Sequence, residues 1–462
     1  MSTHSPRSRP VPPYRNPIVA RDVPDPDVIA LTDGGYAMVA SSFDRTPGLP
    51  LWFSEDLVSW RSVGHAGGAR PDAADDGGVW APAIREHDGL LHVVWGDPDR
   101  GILAVSAPRL SGPWSPPRTI IAGRGLIDPC PFWDEDGRAY LVHAYARSRA
   151  GFNNRLDVVE VDPTLNHATG VPRILIDGDR VPGCSVLEGP KVSRRGGEVW
   201  VFAPAGGVAE GWQYAFRASS ILASDWEHRI VLEQGESPVN GPHQGAWVRG
   251  HDGHEWFLHF QATPVHGRIL HLQPLRWGED GWPLIGRAVD GGPAEPVTAH
   301  GDARDVAPDI PSSAPGPDWF GRGALPSALI ADASAAGFVI HPHPAATLGL
   351  AVDARWRRTS LGVRSGNAEI AVGDDPGATL VVEPGEASGT ARIRLGEHTA
   401  TAAYPVAVAI VWGLTDATFH LDGAPFGTAV ALTPRRWTGA ELTFAARGSE
   451  PAVFSPLETE LR

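Results

Sequence analysis

"LIDPCPFWDEDGRAYLVHAY", residues 126–145, is an apolar strand, a tight turn and a second apolar strand. Asp136-Gly137 forms the turn, a dipeptide suited to the positive φ angles of a short hairpin loop. Phe132, Trp133, Tyr140, Leu141 and Val142 supply the aromatic and branched side chains that favour strands. The unit recurs along the chain. "YAMVASSF" follows Asp33-Gly34, "LLHVVWG" follows Asp88-Gly89, "EVWVFAPA" follows Gly196-Gly197 and "EWFLHFQA" follows Asp252-Gly253. Successive turns lie 55, 48, 60 and 56 residues apart. A later turn near a Trp accompanies the repeat in "DLVSW", "SGPWS", "SDWEH" and "DGWPL". Helical periodicity is nearly absent. Five units of about 50 residues, each a few antiparallel strands, predict an all-β fold led by a five-bladed β-propeller over residues 14–296. A solenoid would need a stricter repeat, and a sandwich would not sustain this one.

Residues 297–317 are rich in Pro, Ala and Ser and read as a linker or a surface strap. Alternating stretches follow in "ATLVVEP", "GTARIRL", "PVAVAIVWG" and "ATFHLDG". They predict a smaller all-β accessory domain over 318–462, most simply a β-sandwich.

Composition narrows the function. Of 462 residues, 42% are hydrophobic and 20% charged, as in an ordinary globular protein. The net charge of −15 argues against nucleic acid, whose phosphates call for a basic face. No apolar run approaches the roughly 20 residues that span a bilayer, so no membrane partner is expected. "MSTHSPRSRPVPPYRNP" has no apolar h-region, and cytoplasmic residence is the default expectation. Cys130 and Cys184 make no disulfide framework. Cys130 reads as a small buried filler. The single Lys191 stands out against 38 Arg and falls three residues after Glu188, which leaves chance and a specific role both open. Seventeen Trp suit sugar faces or, for most of them, packing between sheets.

Three acids sit where the pattern asks for apolar residues: Asp25 in "DVPDPDVI", Asp128 in "LIDPCPFW" and Glu188 in "VLEGPKV". A carboxylate out of water is costly unless paired. Each lies 8 residues before the turn of its unit, at 33, 136 and 196. The shared register places all three at one height on the propeller axis, around a polar pocket. Singly, each also fits an Asx-turn or a cap. Asp27, two residues past Asp25, is expected to be structural. Three acids without a Cys/His metal cluster point to glycosidic hydrolysis: a protonated carboxyl for the leaving oxygen, a carboxylate for the nucleophile, and a third acid to raise the donor's pKa.

"DVPDPDVI", "SSFD", "GVWAPAI", "DPCPFWDEDGRAYLVHAY", "EGPKV", "NGPHQGAW" and "GRILHLQPLRW" together resemble family 43 of the glycoside hydrolases, from residue 16 to about 287. The resemblance implies a five-bladed propeller and an inverting, exo-acting β-xylosidase or α-L-arabinofuranosidase acting on oligosaccharides. It implies Asp25 as general base, Glu188 as general acid and Asp128 as the residue that tunes and positions the acid. It further implies Phe43 and Trp80 as aromatic walls of the sugar subsite and Arg268 as a contact to substrate hydroxyls. His243 matches a histidine near the axis that in relatives sits beside a calcium or a water. No cofactor is expected beyond such a calcium, and one His is thin support for a metal that prefers several oxygens. His251 and His254 read as loop residues. Two other readings stay open: a retaining β-fructosidase-like propeller and a non-catalytic carbohydrate-binding propeller.

Overall fold

The computed structural model describes residues 9–67, 78–307, 317–322, 324, 326–334, 337–343, 347–434 and 438–461. Five antiparallel four-stranded sheets follow one another in chain order. Blade 1 comprises Asp27–Ala30, Tyr36–Val39, Pro50–Ser54 and Arg61–His65, and blade 2 Trp80–His87, Leu90–Asp97, Gly101–Ala107 and Arg118–Ala122. Blade 3 comprises Leu126–Trp133, Ala139–Tyr145, Arg155–Val161 and Arg173–Asp177. Blade 4 comprises Lys191–Arg195, Glu198–Ala205, Trp212–Ala218 and Glu227–Leu232, and blade 5 His243–Arg249, Glu255–Thr263, Gly267–Trp277 and Pro283–Ile285. Each predicted Asp-Gly or Gly-Gly turn joins the first strand of a blade to its second. Among the described residues the chain is a five-bladed propeller followed by a sandwich of two sheets.

Every blade is buried on both faces, which explains why its strands read as continuous apolar runs. Alternate residues face opposite neighbours. Val93 packs with Ala37 and Leu51 of blade 1, whereas the adjacent Val94 packs with Leu141 and Val159 of blade 3. Tyr140 and Val142 meet Val199 and Val201 of blade 4, while Trp200 and Phe202 meet Phe257 and Leu275 of blade 5. Leu258, Leu270 and Leu272 of blade 5 then pack on Val28 and Met38 of blade 1, and the ring is closed.

Backbone from the N-terminal segment completes the closure. Ile18 N–H donates to Leu270 O at 2.9 Å, Leu270 N–H to Val19 O at 2.9 Å and Val23 N–H to Arg268 O at 3.0 Å. This satisfies an edge of the third strand of blade 5 that would otherwise be open. Tyr14 and Arg15 pair with His300 and Ala299, so the segment after the last blade runs along the propeller as a strap; residues 308–316 of the expected linker lie outside the described residues.

The two sheets of the C-terminal region enclose one apolar core, in which Leu348, Ile370, Leu442 and Phe444 of one face Phe338, Val408, Ile410 and Phe454 of the other. Trp200, Trp256, Trp282, Trp319, Trp356 and Trp412 are all buried in cores, the packing role expected of most tryptophans here. Thr46 and Gly321 exchange backbone bonds of 2.9 and 2.7 Å between propeller and sandwich, and Ala440 N–H donates to Val265 O at 2.8 Å.

The closure has a measurable consequence. Leu270 is 0% exposed at the joint between blades 5 and 1. Leu270→Ala is expected to cost about 2–5 kcal/mol in denaturant unfolding. Leu90→Ala, at a position 38% exposed, should stay within about 0.5 kcal/mol of the parent.

Candidate active site

The start of the first strand breaks its regular register in blades 2, 3 and 5. Pairing shifts between Trp80 and Ala83 in blade 2, between Ile127 and Cys130 in blade 3, and between His243 and Ala246 in blade 5. Ala81, Asp128 and Gln244, at these bulges, have φ of 28°, 54° and 34°. Asp25 (φ 51°) and Val186 (φ 52°) occupy the equivalent approaches to blades 1 and 4. Left-handed backbone is rare for non-glycine residues and concentrates at functional sites. A bulge re-aims one side chain out of the alternating pattern. Here it aims Asp128 away from the inter-blade cores and into the axis.

Asp25, Phe43, Trp80, Asp128, Glu188, Gln244 and Arg268 line one pocket of about 240 Å³. A smaller interdomain recess of about 60 Å³, bounded by Asp22, Arg45, Trp319 and Phe320, contains none of the three acids. The three acids are therefore gathered into this pocket from blades 1, 3 and 4.

Each acid is held differently. Asp25 accepts from Ser41 Oγ at 2.6 Å and is ion-paired with the Arg268 guanidinium. Ser41 Oγ in turn accepts from Ala81 N–H at 2.7 Å, which ties blade 1 to blade 2. Asp128 Oδ2 accepts from Gly189 N–H at 2.8 Å and from Gln244 Nε2 at 3.3 Å. The Gly189 bond joins Asp128 to the backbone immediately after Glu188. Gly189 has φ 57°, and a Cβ there would lie 2.9 Å from the Gln244 side chain, so glycine is required. Glu188 donates its N–H to Pro204 O at 3.1 Å and leaves its carboxyl, 20% exposed, facing the pocket.

Electrostatics separates the acids. Burial, followed by the charges of Asp128 and Asp25, raises the Glu188 carboxyl to about 8. Burial and the charge of Asp25 likewise raise Asp128, against the Gly189 amide, Lys191 and Arg268. Like charges in one desolvated site leave a proton behind. Of the two raised acids, Glu188 has the solvent-side access and Asp128 is buried.

Phe43 and Trp80 meet edge-on at 6.0 Å, and Arg268 stacks over Phe43 at 5.6 Å and Phe260 at 5.0 Å. His243 lies fully buried behind Glu188, its Nε2 3.5 Å from Glu188 Oε1, and does not line the pocket. Burial, then Arg268, pushes the His243 imidazole down to about 3, so it is neutral beside the acid. Asp27 accepts from Ile84 N–H at 2.8 Å and Arg85 at 2.6 Å, a tie between blades 1 and 2. Cys130 is buried and accepts from Arg85 at 3.0 Å and from Val192 N–H at 3.3 Å. His251 and His254 lie at a hairpin turn of blade 5, where His251 Nε2 is 3.2 Å from Gly35 O.

A calcium on the axis would need several oxygen ligands. Among the described residues no three His, Cys, Asp or Glu side chains are grouped so as to hold one metal ion. These residues do not fit a side-chain calcium cage.

Sequence reasoning missed Ser41, Gln244 and Tyr145. Tyr145 lines the pocket and donates to Asp157 at 2.6 Å. Only for Gln244 was there a signal, its place one residue past His243 in a strand start matching that of Asp128. Lys191 is buried and donates to Pro82 O at 3.3 Å, where its charge also reaches Asp128.

Comparison with known proteins agrees with this geometry. The family model for glycosyl hydrolases family 43 matches residues 14–283. A putative beta-xylosidase of Xylanibacter ruminicola is 41% identical over 62% of this chain and 52% of its own length. A non-reducing end alpha-L-arabinofuranosidase of Bacteroides ovatus is 29% identical over 59% of this chain and 54% of its own. The chain thus spans about half the length of the curated relatives it matches. Among solved structures, the GH43B protein of a Bacteroides ovatus xyloglucan locus superposes with a TM-score of 0.80 at 20% identity, covering 98% of this chain and 100% of that one. A xylan beta-1,4-xylosidase from Bacillus halodurans gives 0.78 at 20% identity, covering 97% and 100%. With the family model spanning more than half of its length, the chain belongs to family 43 of the glycoside hydrolases.

Proposed function

We propose that the protein is an exo-acting, inverting glycosidase that removes a terminal β-D-xylosyl or α-L-arabinofuranosyl unit from hemicellulose-derived oligosaccharides. One observation carries the reading: Glu188, its carboxyl raised to about 8, shares a small pocket with Asp25, whose carboxyl is held by Arg268. Glu188 gives its proton to the glycosidic oxygen as the bond to the anomeric carbon breaks. Asp25 takes a proton from the water that attacks the opposite face. Asp128 stays off the reacting atoms, raises Glu188 by its charge and fixes the backbone beside it. The pocket's volume is on the scale of one sugar ring, which favours removal of terminal units. Phe43 and Trp80 give that ring apolar walls. The named activities of the relatives, xylosidase and arabinofuranosidase, support both pentoses.

On a panel of nitrophenyl glycosides, turnover is expected for β-D-xyloside or α-L-arabinofuranoside. Proton NMR of the first-formed sugar should show the inverted anomer, and a retained anomer would overturn the assignment of Asp25 as base. Glu188→Ala should lower kcat/KM on xylo- or arabino-oligosaccharides by about 10²–10⁴. Aryl glycosides with good leaving groups should lose far less, because they need no proton.

Glu188 also dictates the pH response. Its folded pKa lies above its unfolded one, so the native state holds this proton more tightly. The acid form, and kcat/KM with it, is lost as pH rises through about 8. Over the same window, from the unfolded carboxyl range upward, the native state loses stability as Glu188 ionises. Glu188→Gln should therefore raise the thermal midpoint at pH 8.5 and leave it near the parent's at pH 5. An equal shift at both values would overturn the charge argument.

A further inference from the structure

The sandwich reaches the site from behind. Glu441 projects from a sandwich strand into the propeller interface with only 3% of its side chain exposed. Its carboxylate accepts from Arg45 Nε at 2.9 Å, and from Arg322 Nε at 3.0 Å and Nη2 at 2.6 Å. Arg45, two residues past the pocket wall Phe43, lies 3.0 Å from Asp22 Oδ2. Asp22 Oδ1 accepts from the backbone N–H of Arg268 at 2.9 Å. Arg268 then holds Asp25. Arg322 also pairs with Asp44, the immediate neighbour of Phe43. One ladder of buried acids and arginines thus runs from the sandwich to the residue assigned as base.

Backbone packing follows the same path. The sandwich segment Thr438–Glu441 lies against the hairpin turn that precedes Arg268. Ala440 N–H donates to Val265 O at 2.8 Å, and a Cβ on Gly439 would stand 2.6 Å from the carbonyl of His266. A Cβ on Gly267 would stand 2.1 Å from Asp22 Oδ1. Nothing larger than hydrogen fits at either position, so turn and sandwich are in direct register. Burial would push Glu441 upward, but Arg322 and Arg45 outweigh it and hold the carboxyl down at about 2, so Glu441 is charged, whereas burial raises the Asp22 carboxyl against Arg45, the Arg268 amide and the Gly439 amide. Among the described residues, none from the sandwich lines the pocket.

We infer that Glu441 of the sandwich is a positioning residue for the reaction, acting through Arg45 and Asp22 on the Arg268 hairpin that orients Asp25. The inference rests on the glycosidase reading above. Removing the Glu441 charge leaves Arg45 and Arg322 with Asp22 and Asp44 as their counter-ions. Arg45 then competes with the Arg268 amide for Asp22, and the hairpin loosens. Misorientation of the base affects the transition state more than substrate binding, and small displacements of a catalytic group have large effects on rate.

The test uses the full chain with Glu441→Gln, and with Asp22→Asn in parallel, which perturbs the ladder from within the propeller. Hydrogen exchange of peptides covering residues 263–270 should quicken about tenfold, while blades 2 and 3 exchange as in the parent. On the nitrophenyl pentoside that the parent hydrolyses, kcat should fall about tenfold or more, with KM within about twofold. A purely structural role would quicken exchange, or lower the thermal midpoint, without changing kcat, and that result overturns the inference. Unchanged exchange at 263–270 in both variants overturns it equally. If Glu441→Gln fails to fold, Asp22→Asn carries the same two readouts. A parent that releases no pentose counts against the glycosidase reading, and the exchange result then decides alone whether the sandwich clamps the hairpin.

Discussion

Three carboxyl groups face one small pocket, and their mutual repulsion is the constraint around which the rest of the molecule is arranged. Asp25 is offset by Arg268 and Ser41. Asp128 is fixed by the Gly189 amide and Gln244. Among the described residues no such donor reaches the Glu188 carboxyl, which has a neutral His243 at its back, and burial with two neighbouring acids raises it. In the proposed reaction the proton on the acid is thus a product of crowding. The proposed acid is set apart by what its neighbours withhold from it, and the proposed base by the guanidinium it receives.

Holding such a cluster together requires strain, and the strain is distributed. Asp25, Phe43, Ala81, Asp128, Val186 and Gln244 all adopt left-handed backbone, each costing of order 1–3 kcal/mol. No single strand could carry them all. Five of them sit instead at the starts of the five blades and Phe43 in a loop of blade 1, backed by inter-blade cores whose central residues are fully buried, such as Val93, Leu141, Val201 and Phe257. A propeller suits this task because its first strands end at a shared axis while their remaining length stays regular. Bulges at those ends change where a side chain points without disturbing the alternation that packs blade on blade.

This division explains what could be read in the sequence. The five turns were legible because hairpin loops need positive φ, and Asp-Gly or Gly-Gly announces it locally. Asp25, Asp128 and Glu188 were legible because their common distance of 8 residues from those turns survives folding. Ser41 was not, since it reaches Asp25 only through hairpin pairing, and a serine in "ASSFD" carries no local signature. The bulges were hidden as well, because an extra residue in a strand is visible only against its partner. His243 illustrates the limit from another side. A histidine near the axis can face the pocket or lie behind its wall, and the bulge between His243 and Ala246 decides this by turning Gln244 inward and leaving His243 buried.

The contribution of the sandwich follows from the same electrostatics. A domain that meant to narrow the pocket would have to place a side chain on its rim, and Phe43, Trp80 and Arg268 already occupy that position from the propeller. A domain that meant to stiffen the pocket needs only to reach the elements behind it. Two such elements lie at the joint with the sandwich: the turn before Arg268, and the loop carrying Phe43, Asp44 and Arg45, which also pairs with Val79 of the propeller. The sandwich meets both, one at Thr438–Glu441 and the other at Phe320–Arg322. Buried ion pairs contribute little net stability against apolar packing, but breaking one is costly, which makes them better at fixing geometry than at strengthening an interface. A charge ladder at this joint therefore has the properties of an alignment device. Its effect on the reaction depends on Arg268 being shared between the ladder, through its amide, and the base, through its guanidinium.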